Sequence, residues 1–142
     1  MAYPRERRIP GPLHEELVEI LDTLAVLTGH TAEIVTALPD GARPDVFRVG
    51  VASRSMFLGD AKHSEAPTDR AAQARLERYI QWVCLHVRQG GGATVVIGCA
   101  SATQAHGWVD LLAELVHDEG HCCTVGVDRL QRLTYLGWAV VV

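Results

Sequence analysis

The chain has 142 residues, 48% hydrophobic and 21% charged, with a mean hydropathy of +0.09. Those values fit one globular domain and exclude a disordered chain, a collagen-like repeat and a coiled coil. Seventeen acidic residues against 13 Lys and Arg give a formal charge of −4, without the basic excess of a protein held to nucleic acid mainly through phosphates.

No apolar run approaches the roughly 20 residues of a membrane helix. The opening MAYPRERRIPGP carries charge with no apolar segment behind it, so no secretory signal is expected and the cytoplasm is the default compartment. There Cys84, Cys99, Cys122 and Cys123 are expected to be reduced thiols. The arginines are uneven: Arg5, Arg7, Arg8, Arg43, Arg48 and Arg54 all precede Ser55. That leaves open a local basic surface beside acidic groups, or a protein that never meets nucleic acid.

Residues 1–12, with three prolines and three arginines, read as an irregular basic arm, and 13–142 as a single domain. Leu13, Leu17, Ile20, Leu21, Leu24 and Leu27 fall at helical spacing, which predicts a helix to about Thr28 with Gly29 as its stop. Thr31 to Leu38 has strand composition, Pro39-Asp40-Gly41 is a turn signal, and Asp45 to Val51 alternates as a second strand. Met56 to Lys62 is a third, and the three suggest an antiparallel meander. Thr68 or Asp69 can cap a helix of about 20 residues ending at Gly90-Gly91-Gly92. Ala93 to Cys99 reads as a strand covered on both faces. A helix from Gln104 to Asp118 follows, then strands near Cys122 to Val127 and Thr134 to Val142. Helices on both sides of a central mixed sheet give an α/β domain.

Chemistry concentrates at Pro44-Asp45 and Asp60-Ala61-Lys62. Adjacent antiparallel strands can bring the two carboxylates to one end of a sheet, and residues two apart in a strand, Asp60 and Lys62, face the same way. Two close carboxylates repel unless a cation lies between them, and such oxygen ligands suit Mg²⁺ or Mn²⁺. A lysine there can orient a water and neutralise phosphate charge. Lys62 is the only lysine in the chain. Two plainer readings stay open: Asp45 as a turn residue beside proline, and Asp60 with Lys62 as a surface pair.

Pro44-Asp45 followed by Asp60-Ala61-Lys62, in the order helix, three strands, helix, strand, resembles the PD-(D/E)xK nuclease superfamily over residues 13–100. The resemblance implies a restriction-endonuclease-like mixed β-sheet flanked by helices, and a Mg²⁺- or Mn²⁺-dependent nuclease acting on nucleic acid, most naturally DNA. Asp45, Asp60 and the Ala61 carbonyl would bind the metal and Lys62 would position the attacking water. The family adds an acid from its first helix; Glu16, at the margin of the leucine face, is the choice and Glu19 the fallback, each also readable as a solvated glutamate. Arg75 and Tyr79 have the spacing of the family's substrate-holding Gln and Tyr, with arginine replacing the glutamine; Gln73 is a weaker alternative. Arg43, Arg48 and Arg54 are candidate phosphate contacts. A homodimer is left open, with the apolar tail Leu136 to Val142 as its interface, and no membrane partner is expected. The rival reading is a non-catalytic module of the same fold that binds nucleic acid or assembles with protein.

His117, His121, Cys122 and Cys123 form the one soft-ligand cluster. Adjacent cysteines lack the spacing of a zinc site, and Cys122-Cys123 is expected to be buried in a strand. Trp82, Trp108 and Trp138 are expected in the core or an interface.

Overall fold

The structure, a computed structural model, describes residues 14–35, 38, 41, 43–50, 54–62 and 66–142. Helix α1 spans His14–Leu27 and buries Leu17, Leu21 and Ala25, which recur every four residues and so share one side of the helix. Gly29, at φ 91°, adopts the left-handed conformation that ends it. Strands β1 (Ala32–Glu33), β2 (Val46–Val49) and β3 (Ser55–Ala61) follow as the expected antiparallel meander. Helix α2 (Arg70–Arg88) is capped by the Asp69 carboxylate, which accepts from Ala72 N, and returns the chain to β4 (Gly92–Cys99), parallel to β3. Helix α3 (Ala102–Asp118), capped by Ser101, leads to the hairpin β5 (Cys123–Gln131) and β6 (Thr134–Val141).

The mixed sheet runs β1-β2-β3-β4-β6-β5. Its register aligns Gly59, Val96, Trp138 and Gly126 in one row across four neighbouring strands. One face packs Leu58, Val95 and Ile97 against Leu76, Ile80, Trp108 and Leu112 of α2 and α3. The other packs Phe57, Val46 and Val96 against Leu17 and Leu21 of α1. Two apolar layers around one sheet exclude water from both of its faces. No described helix is long and apolar enough to cross a membrane.

Three expectations change. The first strand shrinks to two residues, although the Ile34 N–H still donates to Phe47 O at 2.9 Å; residues 36, 37, 39 and 40 of that strand and turn lie outside the described residues. The apolar tail is only in part a surface, through Val140 and Val142. Strand β6 is flanked by β4 and β5, and Ala139 and Val141 are fully buried. Cys122 is exposed and Cys123 half-buried, because β5 is the last strand of the sheet; Cys84 and Cys99 are buried, and all four thiols are free.

Candidate functional site

Asp45 immediately precedes β2, and Asp60 is the penultimate residue of β3. The pairing Val46↔Gly59 therefore sets them side by side at one corner of the sheet. The Asp45 N–H donates to Asp60 Oδ1 at 3.3 Å, and the Ala61 N–H donates to Asp45 Oδ2 at 2.8 Å. Lys62 Nζ stands 2.6 Å from Asp60 Oδ2. At that distance the ammonium is both hydrogen-bond donor and countercharge to the buried oxygen.

Proline explains why the ladder opens here. The pairing ends at Val46↔Gly59; continued two residues further, the same register would set Pro44 opposite Ala61. Proline has no N–H to donate. The Ala61 N–H turns to the Asp45 carboxylate instead. Beyond the corner, the Lys62 N–H still continues the pairing with β4, donating to Gly98 O at 2.8 Å.

Burial sets the electrostatics. Asp60 is 3% exposed and Lys62 2%, while the Asp45 side chain keeps 26% of its surface in water. Burial pushes the Asp60 carboxyl up to about 6, with Lys62 drawing it down and Asp45 adding to the rise. Tyr79, buried on α2, donates its hydroxyl to Arg43 O at 3.2 Å and so fixes the segment leading into Pro44 and Asp45.

Other sequence-predicted residues are placed elsewhere. Glu16 and Glu19 line a groove with Ile20, Leu24, Leu27 and Leu136, away from the corner. The helix residue that meets Asp45 is His14, whose Nε2 is 3.4 Å from Asp45 Oδ2. Arg48 is committed to Asp22 through contacts of 2.6 and 3.2 Å and to Thr31 O, and ties α1 to β2 rather than facing a substrate. Arg54 precedes β3, at the end of that strand remote from Asp60. Arg43 pairs with Glu33 at 3.3 Å and stays 39% exposed. Arg75 is half-buried on α2, one turn before Tyr79. His14 had a signal in the sequence: it stands three residues before Leu17 and seven before Leu21, on the side of the helix that is buried.

Among the described residues no three His, Cys, Asp or Glu side chains gather around a point that could hold an ion, which includes the His117–Cys123 cluster. The corner brings together two carboxylates, one fewer than such a group, though oxygen ligands are the kind that Mg²⁺ and Mn²⁺ take. Comparison with known protein families, curated proteins and solved structures finds no match.

Proposed function

We propose that this chain is a metal-dependent nuclease of the PD-(D/E)xK, restriction-endonuclease-like type, hydrolysing phosphodiester bonds in DNA. The observation that carries the reading is the corner itself: carboxylates from two strands, linked through Ala61, with the sole lysine 2.6 Å from the deeper acid. Desolvation offsets most of the attraction in an ion pair this deep, so stability alone is a weak reason to keep one.

In this reading Asp45, Asp60 and the Ala61 carbonyl hold Mg²⁺ or Mn²⁺, which when bound polarises the phosphate and lowers the pKa of water. The Ala61 N–H aims the Asp45 carboxylate, and Tyr79 holds the backbone before it. Lys62 orients the attacking water and neutralises charge that develops on the phosphate. Arg43 and Arg75 are the phosphate contacts; Arg48, held by Asp22, has no part in this set, and Glu16 lines the groove beside α1. Cutting both strands of a duplex calls for a second site, which a second copy of the chain supplies.

One observation favours a second reading, a module of the same fold that binds nucleic acid or protein without cutting: Asp60 and Lys62 are sealed against each other at 3% and 2% exposure. The test is nicking and cleavage of supercoiled, linear and branched DNA with Mg²⁺ or Mn²⁺, with thermal melts alongside. Asp45→Asn is the informative variant because Asp45 is the acid that reaches water. The nuclease reading expects metal-dependent cutting that falls at least about a hundredfold in Asp45→Asn, and a metal-induced rise in melting temperature that the variant loses. Absence of both responses overturns the nuclease reading and leaves the non-catalytic module. A melting temperature that responds to metal without cutting on any substrate also overturns the nuclease reading, and leaves a metal site that does no cutting.

A further inference from the structure

The two edges of the sheet differ. Strand β1 offers two residues, Ala32–Glu33, whereas β5 offers nine, Cys123–Gln131, and among the described residues no strand pairs with its outer side. An uncovered edge of that length is a template for another strand, and proteins usually guard it with lysine or proline. Strand β5 (CTVGVDRLQ) contains neither. Its two charges are already engaged: Asp128 Oδ2 accepts from Trp138 Nε1 at 2.9 Å, and the Arg129 guanidinium lies 5.9 Å from the centroid of the Tyr135 ring.

The face beside this edge is apolar. An open groove of about 590 Å³ runs from Leu24 across Val96 and Trp138 to Asp128 and Leu130 on β5. Trp138 lies across the sheet over Gly126, where any side chain would strike its ring. The indole thus covers the middle of β5 and reaches towards the free edge.

The geometry points to a second copy of this chain as the partner of that edge, joined β5 to β5′ in antiparallel register about a two-fold axis through Gly126. A two-fold axis normal to the sheet preserves its faces, so paired residues must be an even number apart. Centring on Asp128 would oppose two carboxylates. Centring on Val127 would lay Arg129 against the partner's Val125. Centring on Val125 would give up the pairing of Asp128 and Arg129 with strand residues. Centring on Gly126 pairs Val125 with the partner's Val127, Thr124 with the partner's Asp128 and Cys123 with the partner's Arg129, each twice. The threonine hydroxyl then donates to a carboxylate whose other oxygen already holds Trp138. The two grooves meet across the axis, with the two indoles side by side. This association does not depend on whether the corner at Asp60 cuts DNA.

Sedimentation equilibrium of the full chain, wild type beside Thr124→Asp and Thr124→Lys, tests it. Thr124 is exposed, so both variants are expected to fold like the wild type, with the same far-ultraviolet circular dichroism. The wild type should sediment at twice 15.5 kDa. Thr124→Asp sets like charges together twice and should weaken the dimer by about tenfold, whereas Thr124→Lys should tighten it by a similar factor. A wild-type monomer up to millimolar concentration overturns the proposal. So does a dimer whose affinity is unchanged, or shifted in the same direction, by the two variants.

Discussion

At one corner of the sheet the chain buries charge, and along the opposite edge it leaves apolar side chains in water. Asp60 and Lys62 are almost fully enclosed, while Val125, Leu130 and Val140 are 37%, 52% and 37% exposed. The two regions break the usual partition of side chains in opposite senses. Between them the molecule is regular: α2 and α3 close one face with an unbroken apolar layer, and an ordinary half-exposed pair, Arg48–Asp22, ties α1 to β2. The difference teaches that neither departure follows from making the fold stable. Departures from local consistency of this kind mark the places selected for something other than folding.

The contrast can be broken most forcefully at the corner. Lys62→Met strips Asp60 of its countercharge and should lower stability at pH 7 by about 3–5 kcal/mol, with most of the loss recovered in the Asp60→Asn, Lys62→Met double variant. Urea unfolding of the three proteins checks this, and a loss below about 1 kcal/mol would mean that the pair is not buried as described.

A pH titration sharpens the same point. Burial raises the folded Asp60 carboxyl to about 6, above an unfolded value near 3.9. Between those values the native state binds more protons than the unfolded state. Its contribution is therefore fully present below about pH 4 and is lost as pH rises through about 6, on the order of 3 kcal/mol in all. The stability of wild type relative to Asp60→Asn should fall as pH rises from about 4 to 7, on top of a constant offset from the Lys62 charge that the variant leaves unpaired. Parallel curves would remove the argument.

At the ordinary pair the effect should be smaller. Arg48→Ala is expected to cost about 1 kcal/mol, and a double-mutant cycle with Asp22→Ala should assign a share of that to the pair and find it reduced by salt. The smallest change belongs to the β5 edge. Val125→Thr should leave the melting temperature of the folded chain within the range of about 0.5 kcal/mol typical of surface substitutions. A large drop there would place Val125 in the core and undo the contrast.

Much of the layout was legible because alternation, helical spacing and caps are local signals. The meander, α2 from its Asp69 cap to Gly90, the doubly covered β4 and the meeting of Asp45 with Asp60 and Lys62 follow from such signals. What failed was set by the third dimension. Nothing local reveals that β6 inserts between β4 and β5, so the whole tail read as an interface when Leu136, Ala139 and Val141 are core. On α1 the leucines form a stripe wider than the sheet covers. Leu17, Leu21 and Ala25 are buried, while Ile20, Leu24 and Leu27 look into the open groove. Averaging the whole stripe rotates the helix by about 75° from its seat, which brings Glu16 forward and hides His14. Arg48 read as a free cation because its partner, Asp22, lies 26 residues away in sequence.

The row that joins Gly59 to Gly126 also works as a ruler, since Asp60 lies one residue from it. With two β5 strands paired at Gly126, the path from β3 to its symmetry mate crosses seven strand spacings, roughly 34 Å. Each step turns the sheet by about 20–25°, so the two corners end up rotated by about 150° and look towards opposite flanks. Two corners that face apart do not address the same short stretch of one straight duplex together. If the corner cuts DNA as proposed, a supercoiled circle would then pass through an open, singly nicked form before becoming linear, and the order of those products in time would report the twist of the sheet.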